Sequence, residues 1–473
     1  MERNANVCLI PQRYVISILI GFGIILTYSL RACTGTVMYH AIKRPKVVED
    51  NRTNECNFTH DSAQLITVLD ELLDWNQAAQ FAIANSFYTT YLLTHVPAGI
   101  ISDKFGGKYV LGFSILSASI IALLTPKSVQ LSGGHYFVMI LSRSCSGLAL
   151  GMIFPSVNSL IANWAPARDR GKLSGFPFAG SQIGLALDQV VTNNLIIQSK
   201  TWSSPFYLYG SFGIVWFLMW HLVAASNPRF SRYITTQELD YFKREMEGHI
   251  TFGNKAIPWF SLLTCCPLWT LIIAQIGHVI MWLIILRDFP IYMKETLRFD
   301  IRQSSLWISI PYLCTGFLTV TSGCISDFLI NNQYVHVTTA RKIFTTFGAM
   351  GPPIFALMGT FAGCHRFIAL FMFTVGLTSM SFYWAGTRVN TLDLAPNFSG
   401  VIMGIANAFT VIPSVTLSGI VHKLTPNKTV EEWREVFNGL LVILGFSNIV
   451  FLIFGSGEEQ DWNNPESDDD DEQ

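Results

Sequence analysis

The hydrophobic residues of this chain are gathered into long runs, and short polar stretches separate each run from the next. A helix needs about 20 mostly apolar residues to cross the roughly 30 Å hydrocarbon core of a bilayer. Twelve runs reach or approach that length, and we predict a membrane-spanning helix at each. Their predicted bounds are 14–38, 78–101, 109–126, 135–162, 173–197, 205–226, 269–293, 304–329, 341–362, 366–390, 398–421 and 435–456.

The runs form two sets of six, divided by a polar segment. We therefore predict an all-α membrane protein with twelve transmembrane helices in two six-helix halves. Helices satisfy their own backbone hydrogen bonds in lipid, and the strands of a membrane barrel would be about half as long as these runs. The predicted regions are an N-terminal half at 1–226, a cytoplasmic central loop at 227–268, a C-terminal half at 269–456 and an acidic cytoplasmic tail at 457–473. An acidic tail of this kind should be solvated and disordered.

The composition fits a chain whose surface faces a lipid bilayer. Hydrophobic residues make up 50% of it and charged residues 13%, whereas about 25% is usual for soluble proteins. The net charge is −1, and no basic patch indicates a nucleic-acid partner. The nine cysteines show no metal-ligand spacing, so we predict no metal and no cofactor. They are interpreted as small buried residues, with a Cys56–Cys364 disulfide on the outer face as the alternative for one pair.

Twelve spans place both termini on one side of the membrane, which we predict to be the cytoplasmic side. Lys and Arg are nearly equal in number on the two sides, but the short loops after the second and fourth spans carry tight basic clusters. Short loops weigh most in the positive-inside rule. Sequons at Asn51, Asn57 and Asn427 would then lie outside, where they can be glycosylated, whereas the one at Asn397 would lie inside as a chance match. The membrane is predicted to be a plasma, lysosomal or vesicular membrane.

Related loops follow the second span of each half: Gly99-Ile-Ile-Ser-Asp103-Lys104-Phe-Gly106-Gly107-Lys108 in the first and Gly323-Cys-Ile-Ser-Asp327 in the second. We expect the Asp of such a loop to accept hydrogen bonds from the amino terminus of a neighbouring helix and from an Arg. That would lock one state of two halves that rock against each other. The alternative interpretation is an ordinary basic inner loop.

The first loop resembles the signature loop of the major facilitator superfamily. Further strings add to the resemblance: Pro11-Gln-Arg-Tyr14, Ser86-Phe-Tyr-Thr-Thr-Tyr91, Asn163-Trp-Ala-Pro166 and Arg388-Val-Asn390-Thr-Leu-Asp393. Together they are similar to the anion:cation symporter family, over nearly the whole chain. The resemblance implies a small anionic solute as substrate, either inorganic phosphate or an organic carboxylate. It also implies a coupling cation, Na⁺ or H⁺, or the membrane potential as the driving force.

Charged groups inside spans are costly and indicate function. Arg31, in the outward half of the first span, matches a family Arg that faces the substrate cavity, and Tyr88 is a further candidate contact. A guanidinium can grip a carboxylate or a phosphate with two parallel hydrogen bonds. Arg143 matches another family Arg, with substrate contact, gating or a buried ion pair as its possible roles. Arg388 lies near the inner end of its span, and we expect it to extend to the cytoplasmic face.

Two residues are candidates for binding the coupling ion. Asp188 is an acid well inside the fifth span, where it could hold a proton or Na⁺, or pair with Arg31 or Arg143. His278 in the seventh span titrates near neutral pH and could contact substrate as well, although such a His is more often a packing residue. No span carries a catalytic set of residues, so we predict a transporter and not an enzyme.

The chain also departs from the family pattern. Leu150 stands where glutamate and sialic acid carriers have a Glu, and His278 stands where they have an Arg. A span-four acid is therefore unavailable for proton coupling. We predict secondary active anion transport by Na⁺- or H⁺-coupled symport with alternating access. The alternative is a solute sensor that keeps the fold but does not transport.

Overall fold

A computed structural model describes residues 10–42, 73–246, 256–287, 292, 301–362, 365–426 and 429–464. Twelve long helical segments, α1 to α12, make up most of this part of the chain. They are Gln12–Ala41, Gln77–Phe105, Gly107–Leu131, Tyr136–Trp164, 170–199, Ser204–Val223, Cys266–Arg287, Ile301–Asn331, Val337–Phe361, Arg366–Leu394, Ser399–Leu424 and Val430–Phe454. Each of the twelve predicted spans overlaps one of these segments.

Ten of the segments contain a stretch that is long and apolar enough to cross a membrane, and α2 and α5 fall outside that group. Both pack across the boundary between the two halves, α2 against α11 and α5 against α8. A helix that is covered by other helices needs a less apolar surface than one that faces lipid. The chain is therefore a multi-pass membrane protein with a nearly all-helical fold.

Three segments depart from regular α-helix. The α4 segment is interrupted between Leu150 and Ile153, because Pro155 has no N–H to donate to the Gly151 carbonyl. One π-helical turn occupies Asp188–Thr192 in α5 and another occupies Trp384–Arg388 in α10. Such turns are often found at functional sites.

Glycines allow the two halves to touch backbone to backbone. Gly404 of α11 lies against the His95 carbonyl of α2, and a Cβ at position 404 would come within 2.5 Å of that oxygen. Gly99 of α2 and Gly400 of α11 meet in the same way one turn further along. Small residues at helix crossings let membrane helices approach closely. This contact brings α2 and α11 together near the end that is predicted to be cytoplasmic, which we call the inner end.

The described part of the central segment is partly helical, whereas the sequence predicted a loop. It contains the helix Thr236–Met246, whose Glu238 carboxylate accepts the backbone N–H groups of Gln12 at 2.8 Å and Arg13 at 3.1 Å. These groups have no partner within a helix, because they begin α1. Tyr241 donates to the Asp169 carboxylate at 3.1 Å, and burial, together with that negative charge, raises the pKa of Tyr241 to about 12.

The expectation of a solvated tail is wrong for its first residues. Gly457 donates its N–H to Thr338, Gln460 donates its N–H to the Leu394 carbonyl at 2.9 Å, and Asn463 is fully buried. Asn463 also accepts the N–H of Asn397 through its side chain. The tail up to residue 464 thus caps carbonyl and amide groups at the inner end of the C-terminal half. The acidic run lies outside the described residues.

Candidate functional site

The two signature aspartates reach across to the opposite half. Asp103, at the end of α2, accepts the N–H groups of Gly400 at 3.1 Å and Val401 at 2.9 Å, in the first turn of α11. Asp327, near the end of α8, accepts those of Gly171 and Lys172 in the first turn of α5, both at 2.8 Å. A carboxylate at a helix amino terminus satisfies unpaired N–H groups and complements the helix dipole. The two contacts repeat each other in the two halves.

The expected Arg partner of these aspartates is absent, because neither carboxylate forms an ion pair in the part of the chain that is described. Arg341, which follows the second signature loop in the first turns of α9, instead pairs with Asp393 of α10 at 2.7 Å. Asp393 also pairs with Arg170 of the N-terminal half at 3.2 Å. Asn158 of α4 adds a further link, since it donates to the Ser399 carbonyl at 2.8 Å. The inner end is therefore closed by contacts between the halves.

The other residues of the first signature loop shape this closure. Gly106 has φ +92°, a conformation that side chains other than glycine rarely adopt, and Gly107 packs on the backbone of Ser156. The Lys108 side chain donates to the His221 carbonyl at 3.0 Å. The loop therefore turns sharply between α2 and α3 and presents Asp103 to α11.

A cavity lies between the halves, further from the inner end than these contacts. Its volume of about 60 Å³ is well below the roughly 300–1,000 Å³ of small-molecule sites, so binding of a substrate larger than a few atoms requires the halves to move apart. Both halves contribute to its wall, which includes six Phe, Tyr or Trp rings, two arginines and five uncharged polar side chains. Its lining residues are Tyr28, Arg31, Tyr88, Tyr91, Phe154, Ser181 and Gln182 from the N-terminal half and His278, Val279, Trp282, Trp384, Arg388, Asn407, Thr410, Val411 and Ser414 from the C-terminal half.

Aromatic rings surround the guanidinium of Arg31. Its central carbon lies 5.1–5.6 Å from the ring centroids of Tyr28, Phe87, Tyr88, Tyr91 and Trp282. Four of these rings belong to α1 and α2, and Trp282 belongs to α7 in the other half. Ring faces attract a cation, by about 0.5–2 kcal/mol each in favourable geometry. The rings hold the guanidinium in place without neutralising its charge.

Arg388 is a cavity residue, so its expected extension to the cytoplasmic face is wrong. Its side chain is buried and donates to the Asn407 side-chain oxygen at 2.7 Å, and its guanidinium lies 5.3 Å from the Phe154 ring centre. The π-helical turn that ends at Arg388 shifts the register of α10 at this point. The helix also continues to Leu394, beyond the predicted end of the span at 390. Both features place Arg388 deeper in the bundle than the sequence indicates.

Arg143 does not line the cavity. Its side chain donates to Thr34 at 3.1 Å and to the Arg31 carbonyl at 3.4 Å, and its guanidinium lies 4.6 Å from the Phe87 ring centre. The guanidinium groups of Arg31 and Arg143 thus both lie against the Phe87 ring. Arg31, Arg143 and Arg388 all lack a carboxylate partner among the described residues, so the expected buried ion pair of Arg143 is wrong.

Asp188 is fully buried and bonded to two hydroxyl groups. Thr36 of α1 donates to it at 2.7 Å and Thr192 of α5 at 2.6 Å. No ion pair joins it to Arg31 or Arg143, so that expectation is wrong within the described part of the chain. All of these contacts lie inside the N-terminal half, away from the lining of the cavity.

His278 lines the cavity and stacks on Tyr383, with ring centres 3.4 Å apart and planes inclined by 3°. Its Nδ1 atom has no hydrogen-bond partner in the described residues.

The sequons at Asn51, Asn57 and Asn427, and the cysteines at 56 and 364, lie outside the described part of the chain.

Comparison with known proteins identifies the class. The family model of the Major Facilitator Superfamily matches residues 54–418. Human sialin is 31% identical over 460 residues, covering 97% of this chain and 92% of sialin, and sheep sialin is 30% identical over the same share of each chain. Human vesicular glutamate transporter 2 is 28% identical over 475 residues, with 98% and 78% covered. The chain belongs to the major facilitator superfamily and, within it, to the anion:cation symporter family.

Solved structures agree on the fold. The proton:xylose symporter XylE bound to 6-bromo-6-deoxy-D-glucose matches with a TM-score of 0.65 at 14% identity, covering 94% of this chain and 96% of XylE. FucP in the outward conformation matches with a TM-score of 0.59 at 13% identity, covering 92% and 99%. The relatives are membrane transporters and not enzymes, so the chain is a membrane transporter.

The inner contacts give a test of the aspartates. Asp327→Ala removes the acceptor for two N–H groups of α5, which should cost about 1 kcal/mol of the closed state, and so raise the ratio of open to closed inner ends about fivefold. Spin labels at the exposed positions 243 and 333, in a cysteine-free background, would report this as a larger population at long distance. Asp103→Ala should raise the open population in the same way, because it removes the acceptor for two N–H groups of α11.

The control for this test is Glu431→Gln, an exposed carboxylate in the first turn of α12, away from these contacts. It should leave the distance distribution unchanged. If Asp327→Ala and Asp103→Ala also left it unchanged, the aspartates would not hold the inner end closed.

Proposed function

We propose that this chain is a secondary active transporter of small anions, which moves them by Na⁺- or H⁺-coupled symport with alternating access. The observation that carries the proposal is the pair of guanidinium groups, Arg31 and Arg388, on opposite walls of one cavity without a carboxylate partner in the described residues. A buried charge without a partner is costly. An anion bound between the two groups would supply the missing negative charge to both halves at once.

Support for anions also comes from the family. The relatives include vesicular glutamate transporters, which are named for an organic anion. The same class of substrate suits this cavity, where Tyr28, Tyr88, Trp282 and Trp384 form much of the wall. Rings of this kind pack against the flat, apolar body of a substrate. The lining therefore favours an organic carboxylate over inorganic phosphate.

The closed inner end fits one state of an alternating-access cycle. Asp103 and Asp327 hold the halves together there, and the bound anion would contact Arg31 from one half and Arg388 from the other. Rocking of residues 1–226 against 269–456 would break the inner contacts and open the cavity to the cytoplasm. The predicted orientation, with both termini cytoplasmic, belongs to this proposal.

Arg31→Ala tests the anion site. The loss of a charge-assisted, two-pronged contact should lower the initial rate of uptake about 10- to 100-fold. The measurement is uptake of labelled phosphate, glutamate and benzoate into proteoliposomes that contain the purified chain. The uptake rate of Arg31→Lys should lie between those of the unchanged protein and Arg31→Ala, because Lys keeps the charge but lacks the planar guanidinium.

Arg244→Ala is the matched control, since Arg244 is exposed on the central helix Thr236–Met246. It should transport as the unchanged protein does. Equal uptake by Arg31→Ala and the unchanged protein would contradict the proposed site. No uptake of any anion by the unchanged protein would favour a sensor.

The coupling cation remains part of the proposal, with Asp188 and His278 as candidate residues. The described hydrogen-bond partners of Asp188 are both hydroxyl oxygens, those of Thr36 and Thr192. Hard cations such as Na⁺ prefer oxygen ligands, and a buried carboxylate also accepts a proton. Asp188 is therefore our first candidate for the coupling cation.

Asp188→Asn separates cation coupling from anion binding. It keeps the size of the side chain but removes the charge, so accumulation of the anion should fall at least about fivefold while its equilibrium binding is kept. Uptake with and without a Na⁺ gradient, and with and without a pH gradient, would show which cation is lost. Asp240→Asn, at an exposed carboxylate, is the control. Unchanged accumulation in Asp188→Asn would assign Asp188 a structural role.

A further inference from the structure

A large groove lies on the inner face of the protein, beside the first signature loop. Its volume is about 1130 Å³, and it shares no lining residue with the cavity between the halves. The ends of α2 and α6 and the start of α3 form most of its wall. The central segment and the chain just before α11 close the remaining sides. We call it the inner groove, and its wall includes Lys104, Lys108, His221, Arg232, Trp259 and Asn397.

The inner groove carries an excess of positive charge. Lys104, Lys108 and Arg232 line it, and none of them forms an ion pair with a described residue. Lys108 and Arg232 are close enough to repel each other. Asp103 is the one carboxylate in the described lining, and its oxygens already accept two N–H groups of α11. A cleft lined by cations that lack counter-charges attracts an anionic partner.

The C-terminal tail is fixed at the edge of this groove. Asn397, which lines the groove, donates through its side chain to the Asn463 carbonyl and to the Asn464 side chain, both at 3.0 Å. Asn463 is fully buried, so the tail is held firmly at this point. The residues that follow Asn464 therefore start from the C-terminal half, next to the three cations.

The sequence after this anchor is dense in negative charge. Six of the seven residues at 466–472 are acidic: Glu466 and the run Asp468-Asp-Asp-Asp-Glu472. An extended chain spans about 3.5 Å per residue, so Asp468 can reach about 14 Å from Asn464, and Glu472 about 28 Å. This length is sufficient to enter the groove from its Asn397 edge.

We propose that the acidic run 466–472 docks in the inner groove and pairs with Lys104, Lys108 and Arg232. The run is anchored on the C-terminal half, whereas the three cations belong to the N-terminal half and to the central segment that is bonded to it. The docked run therefore forms a strap across the two halves. It holds the inner end closed together with Asp103 and Asp327, independently of the anion cavity.

An acidic phospholipid headgroup is the competing occupant. Exposed rings at Tyr109, Phe230, Tyr233 and Trp259 surround the groove, and such rings are common at a membrane interface. The tail has an advantage because it is attached at the edge of the groove. A short covalent link gives a ligand an effective concentration on the order of millimolar at its site.

Carbodiimide cross-linking tests the docking directly, because it joins a carboxylate to a lysine amine in contact with it. The purified full chain, in a neutral detergent, is cross-linked and digested, and mass spectrometry identifies the joined peptides. We expect amide links from the acidic run to Lys104 or Lys108, at least about fivefold more abundant than links from the run to Lys243. Lys243 is the control, since it is exposed on the central helix and outside the groove lining. Salt at 1 M should weaken the links, because it screens exposed charges.

Neutralising the acidic run tests the strap. Replacing its six carboxylates by amides, with Asp→Asn and Glu→Gln throughout 466–472, should raise the ratio of open to closed inner ends about two- to fivefold. Spin labels at positions 243 and 333 report this ratio. Lys104→Gln should raise it in the unchanged chain but add nothing in the neutralised one, because the two changes remove the same pairs. Glu458→Gln, an exposed carboxylate before the anchor, should leave the ratio unchanged.

Several results would overturn the proposal. One is the absence of links from the acidic run to both lysines, while acetic anhydride labels these lysines equally in the unchanged and neutralised proteins. Labelling that falls only in nanodiscs with phosphatidylserine would assign the groove to a lipid headgroup. Links found only between light and heavy isotope-labelled chains would place the tail on a second copy. Links without a change in the open population would overturn the role of the tail as a strap. None of these measurements depends on the transported anion.

Discussion

A positive charge within a membrane-spanning helix must be offset, and in this chain the offset is provided mainly by aromatic rings. Five rings surround the guanidinium of Arg31, and Arg388 lies against Phe154 and Trp384 on the facing wall. Rings stabilise a cation but leave its charge available to a ligand. We propose that the cavity between the halves can therefore bind an anion, and the need to stabilise the two arginines accounts for the aromatic residues around them.

The second feature is the repeated contact at the inner end. Asp103 binds the amino terminus of α11 and Asp327 binds that of α5, so each half supplies one carboxylate and one helix terminus. These contacts use hydrogen bonds and helix dipoles, which break and reform without burying large apolar surfaces. Such contacts suit a closure that opens in each cycle. In the proposed transport cycle, the bound anion and the inner contacts would both act on the rocking of the two halves.

Much of this could be predicted from the sequence, because it depends on local patterns. Runs of apolar residues predicted the position of all twelve helical segments, and Arg31 stood out as a charge inside one of them. Arg388 was misplaced because the π-helical turn before it changes the register of α10, and no residue pattern announces such a turn. The first residues of the tail were wrongly predicted to be solvated, because the acidic composition of the tail indicates exposure. Asn463 is instead buried, and its side chain accepts a hydrogen bond from Asn397.

Asp188 is a second example of what the sequence alone does not show. The sequence singles out Asp188 as an acid in a span, but only the fold supplies its partners, Thr36 and Thr192. Contacts between helices that are distant in sequence are set by the packing of the whole bundle. A single sequence contains no direct signal for them.

The most direct test of the account is a structure of the chain with 4-bromobenzoate bound, in which the bromine marks the orientation of the anion. The account predicts the carboxylate in the central cavity, with its oxygens about 3 Å from the Arg31 guanidinium and on the side that faces Arg388. The ring should lie against the aromatic wall. An anion bound elsewhere at saturation, or a central cavity that stays empty, would contradict the account.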